Sequence, residues 1–151
     1  MSKPFTTMAI ATHHNRIGFC FLVDKEPMDW QLAHRASRSA SKAQKKVREW
    51  LDFYAPDVVI VELFTAGTRK GIRAQELTAA IKETVLESGA QFIETERQQP
   101  FANKYEQIDS LCDEFPQMQM SKPKKPRFFD PEPAETTVFE ALAMAQAVLK
   151  E

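Results

Sequence analysis

Apolar positions along this chain fall into two rhythms, short β-branched runs and longer stretches spaced like one face of a helix. The most informative run is Asp57-Val58-Val59-Ile60-Val61-Glu62-Leu63-Phe64. It lacks polar alternation, which predicts a strand covered on both faces of an α/β sheet. Before it, apolar runs over residues 7–11 and 17–23 flank His13-His14-Asn15-Arg16, a polar connection that predicts a hairpin. Asp24 to Asp29, with Pro27, reads as a second turn, and residues 30–36 as a shorter third strand completing an antiparallel meander.

Helical spacing is clearest over residues 37–54, where Ala43, Val47, Trp50, Leu51 and Tyr54 share a face, Ser39 or Ser41 offers an N-cap and Pro56 a stop. A second helix is predicted over 72–88, with Leu77, Ala80, Ile81, Thr84 and Val85 buried and Gly89 closing it. Residues 90–95 then read as a strand, so the Glu62 strand and this one should be parallel neighbours in a βαβ unit. Beyond residue 96 the pattern weakens to a short helix over 105–115 and a loop over 116–126. Pro133 signals a last, Ala-rich helix with Val138, Ala141, Leu142, Ala145 and Leu149 on one face.

At 151 residues, 43% hydrophobic and 27% charged, the composition is that of one globular domain, expected to span 1–151. A net charge of -1 excludes a globally basic nucleic-acid binder, so local clusters matter more than the sum. One cluster comprises Arg35, Arg38, Lys42, Lys45, Lys46 and Arg48. A second follows the central strand at Arg69 and Lys70, and a third comprises Lys122, Lys124, Lys125 and Arg127 with Pro123 and Pro126 among them. Such clusters are either solvated faces or phosphate contacts. Cys20 and Cys112 fit no metal-ligand spacing and are expected to be free thiols, consistent with a reducing interior. No apolar stretch has the length of a membrane span and the N-terminus lacks an apolar signal core, so a soluble, cytoplasmic protein is expected.

Glu62 is the anomaly in its strand. A late carboxylate there is either solvated at the sheet edge or part of a site at the strand end, since burying it requires a cation or hydrogen-bond donors. The loop after it, Thr65 to Gly71, lacks the Gly-Lys-Ser/Thr ending of a phosphate cradle, but it lies where open α/β sheets place ligands.

The order of elements resembles the RNase H-like fold, and within it the RuvC-type Holliday-junction resolvases. Val58-Val59-Ile60-Val61-Glu62 resembles the family's fourth strand, whose final Glu is a metal ligand. Phe139-Glu140-Ala141-Leu142-Ala143-Met144-Ala145 resembles its last helix, with Glu140 where the family usually has Asp. Met8 to Thr12 and Ile17 to Phe21, with Gly18, resemble its first hairpin. The resemblance implies a mixed five-stranded sheet, a three-stranded antiparallel meander plus two parallel strands, flanked by helices. It also implies a structure-specific endonuclease of branched DNA, dependent on Mg²⁺ or Mn²⁺ and acting as a homodimer. Glu62 and Glu140 are then catalytic metal ligands, with Asp130 or Glu135 as an auxiliary acid and the basic clusters on DNA.

The chain departs from the family at Thr12, where the first strand should end in the Asp that bridges two metal ions about 4 Å apart. Thr12 brings no charge; His13 or His14 could add a nitrogen ligand, or both could be exposed turn residues. Thr137 stands three residues before Glu140, where the family often has a second acid. Glu135 lies about 140° around the helix from Glu140, and Asp130 must come from the loop. The alternative expectation is therefore a catalytically lapsed domain of the same fold that binds nucleic acid or a protein partner. An unrelated small α/β enzyme or regulatory domain ranks last, because no nucleotide fingerprint, nucleophile triad or zinc ligand set is present.

Overall fold

In the computed structural model, residues 3–13, 16–33, 39–64, 71–96, 104–126 and 133–149 are described. Arg35, Arg38, Arg69, Lys70, Arg127, Asp130 and His14 lie outside them. The strands are β1 (Thr6–His13), β2 (Arg16–Val23), β3 (Glu26–Ala33), β4 (Val58–Glu62) and β5 (Gln91–Thr95). The helices are α1 (Ala40–Tyr54), α2 (Ile72–Ser88), α3 (Lys104–Glu114) and α4 (Thr136–Leu149). They form one sheet in the order β3-β2-β1-β4-β5. The first three strands make the antiparallel meander, β4 runs parallel to β1, and β5 parallel to β4. This is the RNase H-like arrangement of a mixed five-stranded sheet between helices.

Side-chain alternation divides the core into two layers. Met8, Ile10, Val59 and Val61 face one side, under Val47 and Trp50 of α1 and Leu77 and Ile81 of α2. Ala9, Ala11 and Ile60 face the other, under Ile108 and Leu111 of α3 and Phe139, Leu142 and Ala145 of α4. Phe19 and Trp50 meet with ring centroids 4.6 Å apart, and Tyr54 closes on Phe19 at 5.1 Å. The Tyr54 hydroxyl donates to Asp29 on β3. Burial and that carboxylate push the Tyr54 pKa up to about 12.

The meander is tighter than its composition implies. Only Asp24 and Lys25 turn the chain between β2 and β3, with Asp24 at φ 56°, so the third strand begins at Glu26 rather than near Trp30. Pro27 is tolerated because β3 is an edge strand and its missing N–H breaks no inner ladder bond. Residues 116–126 are likewise not all loop: Pro116–Ser121 forms a 3₁₀ helix whose Met118 is buried. Ser39 caps α1 through a bond from the Lys42 N–H to its hydroxyl, and Gly89 at φ 80° ends α2. Cys20 and Cys112 are buried free thiols, and burial raises the pKa of both. Among the described residues, no helix is long and apolar enough to cross a membrane.

Two local devices set where the site sits. Asp57 accepts the Thr6 N–H at 2.8 Å and the Thr6 hydroxyl at 3.2 Å, pinning the start of β4 to the start of β1. The Thr6 N–H above all, helped by the hydroxyl and by Lys3, holds the Asp57 carboxyl below its usual range. A depressed carboxyl pKa stabilises the fold above the unfolded-state value, and that contribution is lost as pH falls through the folded-state value. Asp57→Asn should therefore flatten the acid limb of a plot of urea midpoint against pH while lowering the plateau near pH 7; an unchanged acid limb would count against this role. At the other device, Gly18 on β2, an added Cβ would lie 3.1 Å from Thr137 Cγ2 and 3.3 Å from the Val138 backbone nitrogen. Helix α4 thus rests directly on the β2 backbone. Gly18→Val should cost about 1–3 kcal/mol by overpacking, read as a fall in urea midpoint, and Gly18→Ala less.

Candidate functional site

β1, β4 and β5 run parallel, so His13, Glu62 and Thr95 reach the same edge of the sheet. α2 and α3 follow β4 and β5 from that edge, and α1 follows β3, whose last residue Ala33 pairs with Ile17 there. The edge gathers helix N-termini, whose free N–H groups favour anions.

Glu62 is 5% exposed and Glu140 8%. The solvated-edge reading of Glu62 therefore does not hold. Glu62 shares the parity of Ile60, so it faces the layer covered by α4, the helix that carries Glu140. The Lys104 Nζ, at the start of α3, lies 3.9 Å from Glu140 Oε1, an ionic contact with 23% of the lysine side chain exposed. Nothing in the sequence pattern marked Lys104, which sits in a polar stretch. The topology could have: a helix that follows β5 starts at the edge where β4 ends.

Thr12 goes elsewhere. Its hydroxyl lies 2.7 Å from the Thr78 hydroxyl and donates to the Ala74 carbonyl at 3.3 Å, both on α2. It therefore occupies the face opposite Glu62, held in a structural polar contact. One step beyond the last β1–β4 pair, Ile10 with Val61, the ladder brings Ala11 level with Glu62 on the shared face. Alternation assigns His13 to that face as well. The position from which a strand-one carboxylate could meet Glu62 is thus filled by a methyl group.

Thr137, one turn before Glu140, is fully buried, and its hydroxyl has no hydrogen-bond partner among the described residues. Glu135 is exposed in the turn that precedes α4. Among the described residues, no three His, Cys, Asp or Glu side chains gather as a metal cluster. Glu62, Glu140 and Thr137 offer oxygen donors of the kind a hard cation takes. Among the described residues, no strand-one carboxylate stands beside Glu62 to bridge two ions.

The basic residues divide between the two sides of the sheet. Lys42 and Lys45 are exposed on the first half of α1, and Lys46 pairs with Glu49 at 3.5 Å. Lys122 is bound to Asp109 at 2.6 Å, whereas Lys124 and Lys125 are exposed.

No protein-family model and no curated protein sequence matches this chain. Solved structures do. Thermus thermophilus RuvC superposes with a TM-score of 0.63 at 13% identity, covering 97% of each chain. The fowlpox virus Holliday junction resolvase gives 0.61 at 9%, covering 97% of this chain and 99% of that one. The chain has the RuvC-type resolvase fold. The yeast mitochondrial Holliday junction resolvase is similar too, at 0.56 and 12% identity, with 95% of this chain and 80% of that one covered. Structures of the Thermus RuvC with a Holliday junction substrate and of the fowlpox resolvase with junction DNA also match.

Against that fold, the orientation of β1 gives a direct test. Ala11→Asp should place a carboxylate beside Glu62, so Mn²⁺ should raise the variant's melting temperature more than that of the parent. Thr12→Asp should bury an acid against α2, costing about 3 kcal/mol or more, with no gain in Mn²⁺ response. The reverse ranking would show that Thr12 is the position facing the site.

Proposed function

We propose that this protein is a RuvC-like, structure-specific endonuclease of branched DNA, hydrolysing a phosphodiester bond with a divalent ion, Mg²⁺ or Mn²⁺, at Glu62 and Glu140. The observation that carries the reading is the burial of both carboxylates toward one layer of a RuvC-type fold, at 5% and 8% exposure, where packing alone has no use for acids. Relatives in fold bind junction DNA, and the exposed lysines here suit the same partner.

A bound ion would supply Lewis-acid stabilisation of charge on the scissile phosphate. The remaining work falls to the chain. Glu62 and Glu140 would hold the cation, with β4 and the Gly18-seated α4 fixing where each carboxylate stands. Lys104 offsets charge on Glu140 and stands ready to meet a phosphate oxygen. Lys42, Lys45 and Lys46 grip backbone phosphates of the arms, and Lys122, Lys124 and Lys125 face phosphate at the branch point; Arg35, Arg38, Arg69, Lys70 and Arg127, outside the described residues, are further candidates for phosphate contact. Glu135, Asp130 and His13 are auxiliary candidates for proton transfer or a further ligand. Two copies related by a two-fold axis would match the two symmetric scissile strands of a four-way junction, and a cytoplasmic enzyme would meet that DNA directly.

A second reading, a branched-DNA-binding domain without catalysis, is favoured by one observation. Thr12 is committed to Thr78 and Ala74, and Ala11 leaves the strand-one ligand position without an oxygen. Titrating Mg²⁺ and Mn²⁺ against a labelled four-way junction separates the two. The nuclease reading expects metal-dependent cleavage that falls about 10²-fold or more in Glu62→Gln, the loss of several kcal/mol of charge stabilisation, with junction affinity retained. Salt-sensitive binding without cleavage under either metal would leave the binding domain.

A further inference from the structure

α3 carries the site beyond Glu140. Lys104, Tyr105, Ile108 and Asp109 are spaced i, i+1, i+4 and i+5, so they share one side of the helix. Lys104 touches Glu140. Tyr105, Ile108 and Asp109 wall a cleft of about 300 Å³ whose opposite side is Pro123, Lys124 and Lys125. The cleft therefore begins at Tyr105, the residue next to the lysine in contact with the buried carboxylate.

Its construction is specific. The Lys122–Asp109 ion pair at 2.6 Å ties the extended segment 122–126 to α3. Asp109 above all keeps that ammonium charged, by hydrogen bond and by charge. Pro123 is buried and Lys124 and Lys125 are exposed, so the wall is apolar within and cationic at the rim. Among the described residues, those two lysines form no ion pair. A second cleft, about 180 Å³ beside Leu22 and Leu142, has two acids, Glu26 and Glu114, against one lysine, Lys25, in its lining and lies toward the β2–β3 turn. An anion is better matched by the first.

We propose that the α3 cleft receives one unpaired deoxynucleotide of the branch point, its base against Tyr105, Ile108 and Pro123 and its phosphate at Lys124 and Lys125. The inference rests on the branched-DNA reading and adds how a branch is told from a duplex. A cleft of this volume, at the small end of ligand sites, admits a single nucleotide and not a stacked pair with two backbones. Bases at the exchange point lack a continuous stack on one side, so opening a pair and extruding a nucleotide costs less there than within linear duplex. The Lys104 contact sets the neighbouring phosphate toward Glu140.

The test uses a four-way junction with 2-aminopurine at the branch nucleotides, in EDTA to prevent cleavage, against the parent protein and Lys124→Gln/Lys125→Gln. The parent should change the 2-aminopurine fluorescence on binding. The double variant should lose that change and about tenfold in junction affinity, as expected for two phosphate contacts, while linear-duplex affinity moves less than about twofold. Equal losses on junction and duplex would make the lysines a general phosphate surface and overturn the proposal. Junction binding by the parent with unaltered fluorescence would overturn it alone. Failure of the parent to bind the junction would overturn the branched-DNA reading and the cleft assignment with it.

Discussion

The pairing of β1 with β4 is the constraint from which the site follows. Parallel strands in register from Thr7 with Val58 to Ile10 with Val61 leave no freedom about which side chains share a face. Once Ile60 is in the layer under α4, Glu62 is there too, and Ala11 is its neighbour on β1. Thr12 must then face α2, where Thr78 and the Ala74 carbonyl satisfy its hydroxyl. A sequence comparison that aligns Thr12 with a catalytic acid can match strand length and still be one residue out of phase with the face. One residue along a strand is the difference between a ligand and a packing contact.

The other carboxylate depends on how closely α4 approaches the sheet. Thr137 and Val138 lie over Gly18 so closely that even a Cβ there would be tighter than an ordinary contact. That approach carries Glu140, one turn further on, into the layer that Glu62 faces. The helix is buried almost all round its first two turns, Thr136 to Leu142. Its acid is therefore held by packing rather than by solvation, and Lys104 reaches it from the neighbouring helix.

Much of this was legible in the residues. The βαβ unit from Val58 to Thr95, the Ser39 cap, the Gly89 stop and the apolar faces of α1 and α2 all follow from periodicity and cap chemistry, and the structure places them within a few residues. The Asp24–Lys25 turn was hidden because Pro27 and Asp29 look like turn residues, and only the edge position of β3 makes them acceptable in a strand. The 3₁₀ helix at Pro116–Ser121 was hidden because its Met118 is anchored by tertiary packing rather than by local propensity. Glu62 and Glu140 stood out as acids in apolar settings. The face of Thr12, the contact of Lys104 and the cleft beyond it depend on strand phase and on how α3 lies against α4, which no single segment encodes.

Charge accounting then says what such a site requires. Glu62 and Glu140 are both buried, with Lys104 beside the second, so any phosphate brought to that edge would add negative charge to a place that already holds two acids. Like charges at a few ångströms in a partly desolvated setting cost several kcal/mol. Phosphate can approach only if positive charge arrives with it or is already in place. On the proposed reading, a divalent ion at Glu62 and Glu140 would meet that requirement from within. The lysines of α1 and of segment 122–126 meet part of it from outside, at longer range and subject to salt. On that reading the buried acids and the exposed lysines would be two halves of one electrostatic arrangement, the acids drawing the cation and the lysines the strand that it acts on.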